Sequence, residues 1–373
     1  MTAVVREFVS CASPVGRRNG AGFMPCQGLW HRPERGRVRT AFIATHYNVD
    51  FSEHYLAPLM ASRGFGFLGW NTKFRGNEAF FLLDHALIEI GVGVRWLREV
   101  MGVEQVVLLG NSGGGSLMAA YQSQSAGVTL PPLCGVAPHA AMTALPAADF
   151  YVSLNAHGGR PEVLTDWMDP AVTDERDPFS VDPELDLFAP DRTLPLDAAF
   201  VRRYRTAQQA RNDRITAWVL EELDRITELG ATDRAFLVHR VWADPRFLDP
   251  TLDPSAREAG RCYAGDPRRA NYGPMNIGLT CTLRTWLSMW SLAHSGCRGA
   301  PHLARIRVPS LVIQSDADTG VFPSDARAIH DHLGAEDREL VTVPGDHYLQ
   351  QPAEAREQVA DRIGAWLQAR GAH

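Results

Sequence analysis

Apolar positions in the first 150 residues recur in two alternating rhythms. Short runs at 38–44, 66–70, 105–109 and 133–137 are almost continuously apolar, the pattern of strands covered on both faces. Between them, Leu83, Leu87, Ile90 and Val94 repeat at three- and four-residue steps and predict an amphipathic helix over 82–100. Alternation of this kind gives βαβ winding and a mostly parallel sheet flanked by helices. A short strand is also predicted at the N-terminus, from Val4 and Val5. Near residue 150 the rhythm is lost: Pro, Asp and Arg become dense through 160–195, and the next predicted strand is 309–314. A further strand at 339–343 and a closing amphipathic helix around Ile363, Trp366 and Leu367 complete the pattern. The expected division is therefore a sheet domain, 1–149 and 301–373, interrupted by a largely helical cap, 150–300. Within the cap, 196–229 predicts one long helix or a close helical pair. Val201, Tyr204, Ile215, Trp218, Val219, Leu223 and Ile226 form its apolar side, and Gly230 is its stop. Such a helix serves either a contact between copies of the chain or packing over its own sheet domain, and the second use is favoured.

The run 105–109 leads directly into Gly110-Asn111-Ser112-Gly113-Gly114, followed by apolar Leu117, Met118 and Tyr121. A buried strand, a serine between glycines and a helix read as a nucleophile elbow, with small residues at 110 and 114 letting strand and helix approach. A phosphate-binding turn is the alternative, but no Lys follows the glycines and the stretch holds no Gly-x-Gly-x-x-Gly. In this architecture an acid and then a histidine should follow, each just beyond a later strand. The strand at 309–314 ends in Ser315-Asp316-Ala317-Asp318, and one of these aspartates is the expected acid. The strand at 339–343 ends in Gly345-Asp346-His347, and His347 is the expected base. Asp346 reads as a turn residue.

Through these three motifs the chain resembles the α/β-hydrolase superfamily over roughly residues 20–145 and 300–373. The resemblance implies a Ser112, Asp318, His347 triad, the second aspartate of Asp-x-Asp being the functional one. The interval from Asp318 to Pro323 is one residue longer than in the commonest version, which keeps Asp316 as the alternative. It also implies an oxyanion hole made by the backbone N–H of Gly113 and one from the loop after the third strand, here Thr45-His46-Tyr47-Asn48. Asn48 aligns with the usual donor, and Tyr47, standing where glycine is usual, is the other candidate. His46 reads more readily as an imidazole bonded to its own loop than as a participant.

Composition suits an enzyme with one large core and an insertion: 373 residues, 45% hydrophobic and 21% charged. A net charge of −6 and the lack of a basic patch with interleaved aromatics argue against a nucleic-acid partner. No run reaches membrane-spanning length, and the N-terminus lacks a charged segment followed by an apolar stretch, so the cytoplasm is the expected location. Cys11, Cys26, Cys134, Cys262, Cys281 and Cys297 form no Cys-x-x-Cys pair, and reduced thiols are expected.

Five tryptophans fall in the cap: Trp167, Trp218, Trp242, Trp286 and Trp290. Trp286 and Trp290 could wall a pocket for an apolar or aromatic acyl or leaving group, but with Leu283 and Leu287 they read more strongly as a helix face that needs burial. Arg202, Arg203, Arg205, Arg211 and Arg214 read as a solvated helix face. The expected activity is cleavage of a carboxylic ester, or of a thioester, lactone or amide, through an acyl-serine, with no metal or organic cofactor. Acyl transfer and carbon–carbon bond hydrolysis share the same triad, and a non-catalytic binding protein is the remaining class.

Overall fold

The apolar runs become the inner strands of one eight-stranded sheet in the computed structural model, which describes residues 3–18, 22–274 and 277–373. Its strands are β1 (Val4–Arg18), β2 (Gly22–Pro33), β3 (Thr40–Ala44), β4 (Gly66–Asn71), β5 (Gln105–Ser112), β6 (Phe150–Ala156), β7 (Ser310–Ser315) and β8 (Arg338–Val343). They lie in the order β1-β2-β4-β3-β5-β6-β7-β8, and β2 alone runs against its neighbours. Two buried clusters sandwich the sheet. On β5, Val106 and Leu108 join the cluster beneath α2 (Leu83–Arg95) and α3 (Gly114–Ser125), whereas Val107 and Leu109 join the other, which includes Val359 and Ile363 of the C-terminal helix Ala355–Gln368. Burial on both faces is why this strand shows no polar alternation.

Two sequence expectations need correction. The run 133–137 is no strand but a turn closed by a bridge between Leu133 and Val136. Pro131, Pro132 and Pro138 surround it, and Cys134 and Gly135 take positive φ of 49° and 75°, which a ladder cannot accommodate. The place beside β5 is filled by β6, so the sheet continues through Ala156 and the insertion begins at His157 rather than at 150. Ser153 and Asn155 disguised this strand. Asn155 is buried because its side chain donates to Ser315 Oγ (2.8 Å) and accepts from Ser315 N–H (2.7 Å), bonds that offset the cost of its burial.

The predicted helix at 196–229 is a single α-helix, Ala198–Glu228, capped by Asp197, with Gly230 at φ +80° just beyond its end. Its packing partners are the helix Arg160–Trp167 and the segment 283–290, so it organises the cap rather than covering the sheet. Its arginines are not all solvated. Arg211 is fully buried, donating to both oxygens of Glu175 (2.8 and 2.6 Å) and to the Asp169 carbonyl, and Arg205 reaches Asp244 at 2.7 Å. Among the described residues no helix is long and apolar enough to cross a membrane.

Candidate active site

Ser112 ends β5 with φ 55°, the left-handed region that a non-glycine residue enters only when its surroundings hold it there. A Cβ on Gly110 would stand 2.5 Å from Gly115 Cα, and one on Gly114 would stand 2.4 Å from the Thr45 carbonyl oxygen. The first glycine lets strand meet helix; the second seats the loop after β3 against the serine. Tyr47 fastens that loop, its hydroxyl 3.1 Å from Ser116 Oγ, which in turn donates to the Gly113 carbonyl.

Beyond β7 and β8 lie the expected partners. His347 Nδ1 is 2.7 Å from Asp318 Oδ2, with both side chains buried. The other carboxylate oxygen accepts from the N–H groups of Gly320 and Val321, each at 2.9 Å. A carboxylate at Nδ1 keeps the proton on that nitrogen and leaves the Nε2 lone pair available. Asn155 Nδ2 donates to the His347 carbonyl (3.1 Å), and β6 pairs Ala156 with Ser112, so one strand anchors both the histidine's loop and the serine. The Ser112 hydroxyl makes no hydrogen bond among the described residues, as is common before substrate tightens such a site. Asp316 instead accepts from Gly345 N–H (3.2 Å), and Asp346 accepts from Tyr348 and Gln350 N–H within its own turn.

In the loop after β3, the Asn48 and Val49 N–H groups turn back to His46 Nδ1, at 3.4 and 3.3 Å. The N–H groups of Tyr47 and Gly113 make no hydrogen bond among the described residues, so Tyr47 rather than Asn48 presents the free loop donor. His46 also faces the elbow: a Cβ on Gly113 would lie 2.8 Å from its Nε2. Burial, reinforced by the Arg160 charge, pushes the His46 pKa down to about 3, so the ring is neutral, and its Nδ1 also lies 3.1 Å from Asn48 Oδ1. Burial likewise lowers His54 to about 4 and holds His157 well below the usual histidine range.

These depressions have a signed consequence for stability. A histidine kept neutral by the fold leaves the unfolded chain binding more protons once pH falls below about 6.5, so its stability contribution is whole above that value and shrinks toward the folded pKa. For His54, which bonds Asn111 Oδ1 (3.2 Å) and the Leu56 N–H, the loss at pH 5 is about 2 kcal/mol. Denaturant unfolding at pH 7.5 and pH 5 should show the wild type losing about that much more than His54→Asn. Equal losses in the two proteins would refute it.

The cap contributes residues that the sequence did not single out. Tyr263 lays its ring on the His347 imidazole, centroids 4.1 Å apart, and its hydroxyl donates to Asp318 Oδ1 at 3.3 Å. A Cβ on Gly320 would meet that ring at 2.2 Å, so the glycine in the lengthened acid turn is what admits Tyr263. Trp167 stacks on Trp242 (4.8 Å) and meets His157 and Tyr263 edge-on, making the aromatic wall of the site. Trp286 and Trp290 take the core reading, and the wall they could have made is not theirs. Trp286 is core, donating to Thr216 Oγ1 (3.0 Å) and packing with Ile215 and Val219; Trp290 touches the Arg160 guanidinium, one side chain removed from the elbow. Both lie on a turn whose apolar side meets the long cap helix, which explains their burial. Two surface clefts, of about 140 and 820 Å³, contain neither Ser112 nor His347.

Tyr263 therefore acts as a positioning residue for the Asp318–His347 pair. Tyr263→Phe should lower kcat by about tenfold with KM little changed, the worth of one hydrogen bond to a charged group. A rise in KM alone would make the tyrosine a substrate contact instead.

No protein-family model matches the chain, and no curated protein matches it in sequence. Solved structures do match over nearly its whole length. DcsB in complex with its substrate analogue is 12% identical with a TM-score of 0.56, covering 98% of this chain and 99% of that one. The esterase domain of a Rhodothermus marinus protein (10%, TM-score 0.49) and the Paleococcus ferrophilus monoacylglycerol lipase (15%, TM-score 0.47) each cover 98% of both chains. Identities this low speak to fold alone. The strand order and the elbow at the end of β5 give the chain the α/β-hydrolase fold.

Proposed function

We propose that the chain is a serine hydrolase that cleaves a carboxylic ester, or a related thioester, lactone or amide, through an acyl-serine intermediate. The observation that carries this reading is the Asp318–His347 bond, on a loop tied to the strand that pairs with a serine held at φ 55°. His347 Nε2 takes the Ser112 proton as the oxygen attacks the carbonyl carbon, and the Gly113 and Tyr47 N–H groups receive the oxyanion. Collapse expels the leaving group, which takes that proton from the imidazolium. Water then gives a proton to His347 and attacks the acyl-serine, returning Ser112 and releasing the acid. Asp318 holds the tautomer and stabilises the imidazolium that forms in each half.

The cap serves substrate choice and entry in this reading, with Trp167, Trp242 and Tyr263 offering a surface for an apolar or aromatic group. Labelling with a fluorophosphonate, followed by peptide mapping, is the direct test. A single adduct on Ser112 is expected; an adduct on another serine, or none, rejects the proposal. Product analysis in water and in water–alcohol mixtures then separates hydrolysis from acyl transfer.

A further inference from the structure

We infer that Arg160 forms a carboxylate-recognition site beside the nucleophile, selecting acyl groups that carry a second carboxylate two or three carbons from the scissile carbonyl. The inference rests on the hydrolase reading of Ser112. Arg160 opens the first helix of the cap and is only 3% exposed. A guanidinium so buried needs partners, and it has one carboxylate: Nη2 donates to Glu78 Oε1 at 2.5 Å, while Glu78 Oε2 accepts from the Gly278 N–H. Its plane is fixed on two sides, with its centre 4.8 Å from the Tyr47 ring and 4.8 Å from the Trp290 ring.

The remaining donors are unspent. Nε is buried without a partner, and Nη1 makes no hydrogen bond among the described residues. Nη1 lies against the elbow, 2.9 Å from where a Cβ on Gly113 would stand. His46 Nδ1 lies 3.1 Å from the acceptor Asn48 Oδ1, so that ring is tied to its own loop and the unspent donors belong to Arg160. An unspent donor on a cation thus stands next to the N–H that receives the oxyanion. Buried polar groups are normally satisfied, and here the donors left over on a cation lie against the elbow. Of the cationic side chains, guanidinium is the one whose rigid, planar donors suit a carboxylate, and the neutral histidines around it leave Arg160 as the local positive charge. The chemical class that fits is the half-ester of a short dicarboxylic acid.

The test compares monoethyl succinate with ethyl pentanoate, which has a similar length and no charge. Wild-type protein should favour the half-ester in kcat/KM, and Arg160→Gln should collapse the ratio by about 100-fold, chiefly through KM, as expected when one partner of a desolvated charged pair is removed. An equal fall on both esters would make Arg160 an oxyanion donor or a strut and overturn the inference. So would the absence of any preference in the wild type. Arg160→Lys, which keeps a cation for Glu78, is the second variant should Arg160→Gln fail to fold, and a ratio lowered to a smaller degree is expected. Succinate titrated calorimetrically into Ser112→Ala protein reads the site without turnover: heat that disappears with Arg160→Gln is expected, and no heat counts against it. Phosphonate labelling of Ser112 without ester selectivity defeats this inference alone, whereas failure of labelling defeats the hydrolase reading beneath it.

Discussion

Ser112→Ala protein is expected to lose turnover by about 10⁶-fold and to take no phosphonate label, while unfolding within a degree or two of the wild type. The substitution removes the attacking oxygen and almost nothing else. The hydroxyl is half-buried and makes no hydrogen bond among the described residues, so no partner is left unsatisfied. Alanine also tolerates φ 55° about as well as serine, since each has a Cβ and neither is branched there, and the strain of the elbow is unchanged. Stability and activity should thus separate cleanly. A variant that retained a tenth of the activity would show that the chemistry resides elsewhere, and His157, buried beside the elbow with an unpartnered Nδ1, would be the first group to examine.

The elbow was legible because its requirements are local. Strand, serine and glycines are contiguous, and Gly110 and Gly114 are needed for contacts within a few residues or with one adjoining loop. The Asp318 and His347 positions were legible for the same reason, each lying just beyond a strand whose apolar residues reach both buried clusters. β6 was not, since Ser153 and Asn155 break the apolar run. What makes Asn155 acceptable is a bond to Ser315, 160 residues away, which no window on the sequence contains. Tyr263 and Arg160 failed for a related reason: their partners, His347 and Asp318 for one, Glu78, Tyr47 and Trp290 for the other, are brought to them only by the path of the cap. The tryptophans divide on the same ground. Trp286 and Trp290 showed the clearer helical spacing, but that spacing reports burial against another helix, whereas Trp167 reaches the site from a helix end where periodicity carries no signal.

The same geometry makes the two aspartates of 316–318 separable by experiment. Asp318→Asn should reduce kcat by about 10⁴-fold, because the replacement amide turns a donor toward His347 Nδ1 and favours the tautomer with its proton on Nε2. That tautomer cannot take the Ser112 proton. The two backbone N–H bonds from Gly320 and Val321 can still be made to the amide oxygen, so the turn should persist and the protein should remain folded. Asp316→Asn should cost less than about tenfold, as Asp316 meets only the Gly345 N–H and has no contact with the imidazole. Proton NMR gives a readout independent of turnover: a far-downfield resonance from the His347–Asp318 hydrogen bond should be present in the wild type and in Asp316→Asn and absent from Asp318→Asn. If instead Asp316→Asn gave the larger loss and removed that resonance, the carboxylate that orients His347 would be the earlier one, and the 2.7 Å contact to Asp318 would not represent the working site.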